Sequence, residues 1–369
     1  MFKSAPQGLY IHIPFCKSRC IYCGFFSQTN FSYADAYVDA LIFEMQQYDL
    51  SAVRTIYIGG GTPSTLGGPL LVKLLNYLRD SVNMALVCEF TIECNPDDID
   101  EALAELLHSY GVSRVSMGVQ SMNDKMLKFL NRRHTASQVY CAISTLEKYG
   151  IHNINIDFIF GMPLFDWYDF EHDFEQFATI ETTHKSIYAL SYETDTPLMR
   201  MLENKSLTPC PDDDVRQQYE HIIERMRQLG YEHYEISNYA LPKYRAVHNS
   251  NYWNRTSYVG VGVGSSSFWN MHRHTNNMSI KDYCHLHIEQ KAPIYEADEL
   301  TQHDVYNETI MLGLRTIDGV DANALKHIGN DYYEYFVSHA SRLKKSGNIY
   351  YIDESDWFIS DDIVSSLFM

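Results

Sequence analysis

The chain has 369 residues, 45% hydrophobic and 21% charged, enough apolar material for one large domain or two and too much for general disorder. Lys and Arg number 29 against 47 Asp and Glu, and the net charge of −18 argues against a protein that neutralises nucleic-acid phosphates. No run reaches the roughly 18 apolar residues of a membrane span, and MFKSAPQGLYIHIPF lacks a signal peptide's apolar stretch, so a cytoplasmic protein is expected.

The first predicted strand, Leu9–Pro14, runs into Cys16, Cys20 and Cys23. Three thiolates on one loop can hold three irons of a cubane cluster and leave the fourth iron open. A structural zinc wants four ligands and would have to recruit His12 across the strand; it stays as the alternative. Phe15, Tyr22, Phe25 and Phe26 would shield a cluster, while Cys88, Cys94, Cys141, Cys210 and Cys284 read as small core residues.

Amphipathic stretches then alternate with β-branched runs. Helices are expected at Tyr33–Tyr48, Pro69–Ser81, Asp100–Tyr110, Ala136–Tyr149 and Phe170–Thr179. Asp100 is placed as an N-cap, and Gly111 and Gly150 each follow a helix where a C′ glycine belongs. The intervening strands are Thr55–Gly59, Glu89–Glu93, Arg114–Val119, Asn153–Phe160 and Ser186–Tyr192. Each ends on a polar or glycine-rich turn: Gly59-Gly60-Gly61-Thr62-Pro63, Glu93-Cys94-Asn95-Pro96, Gln120-Ser121, Gly161-Met162-Pro163, Glu193-Thr194-Asp195-Thr196-Pro197. Polar groups at every strand end predict an α/β fold, a partial (β/α)6 TIM-like barrel whose site is built at the C-terminal mouth. An open doubly wound sheet is the competitor.

Beyond residue 200 come a helix at Asp212–Gln228, a glycine-rich region at Gly260–Gly264, and a tail of short helices ending in a hairpin-like segment, Asn348–Ile359. The expected division is a barrel over 1–235, a segment packing on it over 236–298, and a small, mainly helical C-terminal domain over 299–369.

The run Tyr10-x-His12-x-Pro14-Phe15-Cys16-x3-Cys20-x-Tyr22-Cys23 resembles the radical S-adenosylmethionine (SAM) superfamily, in the branch of oxygen-independent coproporphyrinogen III oxidase and HemW-type haem chaperones. The strand-end motifs above, with Gly118-Val119-Gln120-Ser121, Asn131-Arg132 and Asn155-Ile156-Asp157, extend the likeness, and His248-Asn249-Ser250-Asn251-Tyr252-Trp253 matches the HNxxYW element of the HemW branch. The resemblance implies a [4Fe–4S] cluster on Cys16, Cys20 and Cys23 and SAM contacts from Tyr10, Tyr22, Gly60, Gly61, Thr62, Glu93, Gln120, Arg132 and Asp157. It implies haem as cargo, bound through His248, Asn249, Tyr252 and Trp253. Arg132 equally fits a propionate, and for Asp157 a structural role stays open. Against the negative net charge, Arg132, Arg133, Lys243 and Arg245 are the candidates to receive propionates. His272, His274, His285 and His287 read as a polar surface segment.

Two departures separate the chain from the oxidase: Phe25 stands where that pattern has a fourth cysteine, and the cysteines arrive by residue 16, without the oxidase's N-terminal extension. The function so implied is a haem chaperone delivering haem to apoproteins, membrane-associated respiratory ones among them, with coproporphyrinogen oxidation as the alternative. No nucleic-acid partner is expected. A homodimer and peripheral attachment to a membrane are left open.

Overall fold

The structure, a computed structural model, describes residues 5–291 and 297–369. Six parallel strands alternate with helices: β1 (Gly8–Ile13), α1 (Ala34–Met45), β2 (Thr55–Gly60), α2 (Gly68–Ser81), β3 (Glu89–Cys94), α3 (Glu101–Ser109), β4 (Arg114–Gln120), α4 (Asp124–Phe129), α5 (Ala136–Lys148), β5 (Asn153–Phe160), α6 (Trp167–Ala178) and β6 (His184–Ala189). The strands lie side by side in chain order, each paired in parallel with the next. A doubly wound sheet reverses its order at a switch point. No reversal occurs between β1 and β6, so the coiling is that of a β/α barrel.

The ring stays open. Beyond α7 (Pro197–Glu203) and α8 (Asp212–Gln228), the short strands β7 (Glu232–Glu235) and β8 (Asn238–Ala240) extend the sheet past β6, antiparallel. Past β1 it continues, after α9 (Val247–Trp253), through β9 (Tyr258–Val261), β10 (Ser266–Trp269), β11 (His272–Thr275) and β12 (Asp298–Glu299). The tail carries helices Gln302–Gly313, Asn330–His339 and Ser360–Ser365 around a three-stranded sheet, β13 (Val320–Asp321), β14 (Lys344–Ser346) and β15 (Ile349–Tyr351).

What positions the site is a period of two along the strands. One set, Leu9, Ile11, Ile56, Ile58, Phe90, Ile92, Val115, Met117, Ile154 and Ile156, is fully buried in the core under the helices. The alternate set faces the barrel interior and is polar: Tyr57, Glu93, Arg114, Ser116, Asn155, Asp157 and Ser186 all border one cavity.

Several expectations shift. The last parallel strand begins at His184 rather than Ser186 and ends at Ala189. Its first two residues are polar yet fully buried, because His184 is held between Asn155 and Tyr234 (2.6 and 2.8 Å) and Lys185 by internal acceptors. Of the scattered cysteines only Cys94 and Cys284 are buried; Cys88 and Cys141 are exposed. His287 is buried against Phe43 and Tyr283 rather than on a polar surface, while His272 and His285 are exposed.

Lys185 shows how tightly α6 is tied to the sheet. Its ammonium donates to the carbonyls of Phe177 and Ile180 and to the Thr182 hydroxyl (3.3, 2.7 and 3.2 Å), satisfying acceptors in the last turn of the helix and just past its end. The Phe177 carbonyl also accepts from the Ile180 amide at 3.2 Å, so Lys185→Met takes the donor from the Ile180 carbonyl alone and is expected to cost about 1–3 kcal/mol in urea denaturation. Burial lowers the Lys185 amino group to about 7, whereas unfolded lysine titrates near about 10.4. The unfolded chain therefore binds the extra proton between those values, and stability should rise with pH across that window, on the order of 1 kcal/mol per unit at most. That component of the slope should vanish in Lys185→Met.

Candidate functional site

At the C-terminal ends of the strands the turns converge on a cavity of about 600 Å³. Cys16, Cys20 and Cys23 share its wall with Tyr22, Gly60, Gly61, Thr62, Glu93, Gln120, Arg132 and Asp157. Of the residues expected to contact SAM, only Tyr10 stands outside that lining; its hydroxyl meets His12 Nδ1 at 3.0 Å and its ring lies 5.9 Å from that of Tyr57.

The three cysteines are free thiols. The Thr62 hydroxyl donates to Cys16 Sγ at 3.6 Å and the Arg132 guanidinium to Cys20 Sγ at 3.4 Å. Burial raises the Cys16 and Cys23 thiols above their ordinary range, so a metal must displace a proton from each. Among the described residues no three or more His, Cys, Asp or Glu side chains converge on a single ion. His12, the fourth ligand a zinc would need, has both ring nitrogens engaged, by the Tyr10 hydroxyl and by the Phe26 carbonyl at 3.0 Å. The donor set therefore fits a larger group held by thiols better than a mononuclear zinc. Of the aromatics around the cysteine loop, Tyr22 and Phe25 line the cavity with the thiols, Phe25 being 71% exposed, while Phe26 is 45% exposed and Phe15 is buried in the core against Phe31 and Tyr37.

The glycine turn is shaped by close approach. Gly60 has φ +112° and a Cβ there would sit 2.6 Å from the His12 ring; a Cβ on Gly61 would meet the Phe15 carbonyl oxygen at 2.7 Å. Glu93 accepts from the Tyr57 hydroxyl (2.7 Å) and the Gly60 amide (3.0 Å). Burial, with the Asp157 charge adding to it, pushes its carboxyl up to about 7, and burial pushes Asp157 to about 6 against the hydrogen bond from Asn155. Gln120 takes a left-handed φ of 71° where the β4–β5 register slips. That bulge turns its side chain to the cavity. Arg132 spans the wall, donating also to Asn95 Oδ1 at 2.8 Å and to the Gly118 carbonyl.

The HNxxYW element lies at the other end of the barrel. It forms α9, across the starts of β1, β2 and β3. Glu89 accepts the amides of Val247 and His248 at 2.8 Å each, and Asn251 donates to Thr55 at 3.1 Å. The His248 ring is buried, with Nδ1 on the Thr55 hydroxyl and Nε2 on the Tyr252 hydroxyl, both 2.9 Å, and the Tyr57 ring 5.2 Å away. Burial, with the Arg114 charge, lowers its imidazole to about 3. Axial ligation of haem by His248 requires breaking a hydrogen bond first. Of the expected haem contacts only Asn249 reaches the cavity; Trp253 lies under the Arg315 guanidinium, 5.7 Å from the ring centre. Two of the cations expected to receive propionates are already paired: Arg133 with Asp97 and Asp98 (2.9 Å each) and Arg245 with Glu232 and Asp318 (2.6 and 3.1 Å).

Sequence reasoning missed Tyr57, Arg114, Ser116, Asn155 and Ser186 in the lining. The signal was present: a polar residue at every second position of strands whose other positions are apolar.

Residues 10–177 match the family model described as the Radical SAM superfamily. The chain is 35% identical over 317 residues to "Heme chaperone HemW" of Lactococcus lactis, covering 85% of this chain and 83% of that protein. It is 32% identical over 324 residues to the protein of the same name from Bacillus subtilis, covering 85% and 84%, and 35% identical over 275 residues to that of Escherichia coli, covering 72% and 71%. Among solved structures, coproporphyrinogen III oxidase (HemN) from Escherichia coli superposes with a TM-score of 0.85 at 20% identity, over 99% of this chain and 91% of that one, a likeness of fold.

Gly60→Ala adds both the left-handed strain and the clash with His12. It is expected to lower stability by about 1–3 kcal/mol in urea denaturation, and Gly60→Ala combined with His12→Ala should be less destabilised than the two single effects sum to.

Proposed function

The chain belongs to the HemW family within the radical SAM superfamily, and from that premise we propose that it is a haem chaperone that carries a [4Fe–4S] cluster and SAM in the barrel mouth and delivers haem to haem-requiring apoproteins. One observation carries the reading: Cys16, Cys20 and Cys23 meet the Gly60–Gly61 turn, Glu93 and Arg132 around one cavity. A cluster held by Cys16, Cys20 and Cys23 would supply one-electron redox chemistry beside the cofactor. The chain's own part is to hold and orient. Cys16, Cys20 and Cys23 supply the thiolates, and Thr62 and Arg132 donate to two of the sulfurs, which orients them. The glycine turn lets backbone approach the ligand, and Glu93 and Gln120 offer acceptors and donors for its polar groups. The fold shared with coproporphyrinogen III oxidase does not by itself carry porphyrinogen turnover, since one fold hosts many activities.

His248 enters this reading as the group that fastens α9 to the strand starts, with ligation of haem open to it only once Thr55 or Tyr252 is released. His248→Ala should therefore lose stability, about 1–3 kcal/mol from the buried bonds to Thr55 and Tyr252, while an anaerobic haem titration gives the wild-type affinity and Soret band. Loss of haem binding from a variant of unchanged stability would make it the axial ligand.

The cluster assignment is checked by iron and sulfide analysis after anaerobic reconstitution. Wild type should hold close to a full cubane and Cys20→Ala a small fraction of it, with the broad absorption near about 400 nm lost in parallel.

A further inference from the structure

Three of the turns that build the mouth are fastened to one buried carboxylate. Asp98 ends the short turn Pro96–Asp98 that follows β3; its side chain is 3% exposed and stands outside the cavity lining. Its Oδ1 accepts from the Lys17 ammonium at 2.7 Å. Its Oδ2 accepts from the Ser64 hydroxyl and from the Arg133 guanidinium, both at 2.9 Å.

Each donor sits beside a residue of the cysteine centre. Lys17 follows Cys16 in the chain. Ser64 lies two residues after Thr62, whose hydroxyl meets Cys16 Sγ at 3.6 Å. Arg133 follows Arg132, whose guanidinium meets Cys20 Sγ at 3.4 Å. Backbone bonds join these segments two at a time, the Thr62 amide to the Phe15 carbonyl at 2.8 Å and the Ile21 amide to the Leu130 carbonyl at 3.2 Å. Asp98 meets all three at once.

Burial pushes the Asp98 carboxyl up, and Lys17, Arg133 and Ser64 outweigh it, holding the acid ionised below the ordinary carboxylate range. Arg133 also pairs with Asp97 at 2.9 Å, and Lys17 is half exposed. Loss of the Asp98 charge therefore strands no buried cation; it releases the segments from one another.

We propose that Asp98 is a positioning residue of the site, keying the cysteine loop, the glycine turn and the Arg132 turn together so that Cys16 and Cys20 are held in place before any ligand arrives. The proposal rests on the reading of this cavity as a cluster and SAM site, and its first test needs neither ligand.

The full-length, cluster-free chain is treated anaerobically with iodoacetamide, and alkylation of each cysteine is followed by mass spectrometry in wild type, Asp98→Asn, Lys17→Met and the double variant. Cys16 is buried beside the network, Cys284 is buried at the end of the helix Ile280–Cys284, and Cys141 is exposed. Normalised to Cys141, alkylation of Cys16 should quicken about tenfold in Asp98→Asn and about threefold in Lys17→Met, with Cys284 unchanged in both. The double variant should match Asp98→Asn, because the two changes break one contact. An unchanged Cys16 rate overturns the proposal, as does a parallel rise at Cys284, which marks general loosening, or a double variant in which the two effects multiply. Should Asp98→Asn lose its cooperative melting transition, Lys17→Met decides alone by the same contrast between Cys16 and Cys284.

After reconstitution, the EPR spectrum of the reduced cluster gives a signature that a merely stabilising residue leaves alone. At equal cluster content, the spectral change produced by SAM should need about tenfold more SAM in Asp98→Asn than in wild type. A wild-type titration curve in that variant would make Asp98 a structural acid and overturn the proposal. If wild type itself takes up no cluster, or SAM leaves its spectrum unchanged, the parent reading fails and the alkylation contrast still judges Asp98.

Discussion

Everything in this molecule depends on which side of each parallel strand is wet. In most sheets of this class both faces are buried and the strands read as continuous apolar runs. Here the outward face carries Leu9, Ile11, Ile56, Ile58, Phe90 and Ile92 into the helical layer, while the inward face carries Tyr57, Glu93, Arg114, Asn155 and Asp157 into the lumen. Desolvation of the outer face holds the helices on, and it leaves the lumen free to be polar. A partial ring accommodates this arrangement, since it need not be filled by interdigitating side chains as a closed one must. The raised carboxyls of Glu93 and Asp157 follow from the same geometry: they are acids kept from bulk water by the wall that places them.

The order of strands and helices was legible because outward apolar positions, glycine turns and the Asp100 cap are local signals; Asp100 does accept from the Leu103 amide at 2.8 Å. The cysteine motif was legible because chemistry and spacing coincide within one loop. The start of the sixth strand was not, since His184 and Lys185 look like surface residues until their buried partners are known. Nor was the position of His248. Sequence distance says nothing about which end of a barrel a later helix will cover, and the Glu89 carboxylate that receives α9 is 159 residues upstream of His248. Arg114 escaped notice for a related reason: a basic residue opening a strand ordinarily reads as a solvated edge.

The two ends of the barrel are built on different principles. At the mouth, close approach of backbone does the shaping: Gly60 and Gly61 admit no Cβ, and Gln120 is held in a left-handed conformation at a register slip. Such positions store strain and point side chains inward. At the floor, hydrogen bonds do it. Two amides of α9 bind one carboxylate, the His248 ring bridges Thr55 and Tyr252, and Asn251 adds a further bond to Thr55. Of the HNxxYW residues, Asn249 alone borders the lumen, and the others serve the bonds that seat α9 on the strand starts.

Because α9 lies across the strand starts and gives Asn249 to the same lining as Cys16, Cys20 and Cys23, one lumen runs along the strands from the cysteine turns to the HNxxYW helix. Two motifs more than 200 residues apart in the chain thus border a single space, and a change in the shape or charge of that space is felt at both.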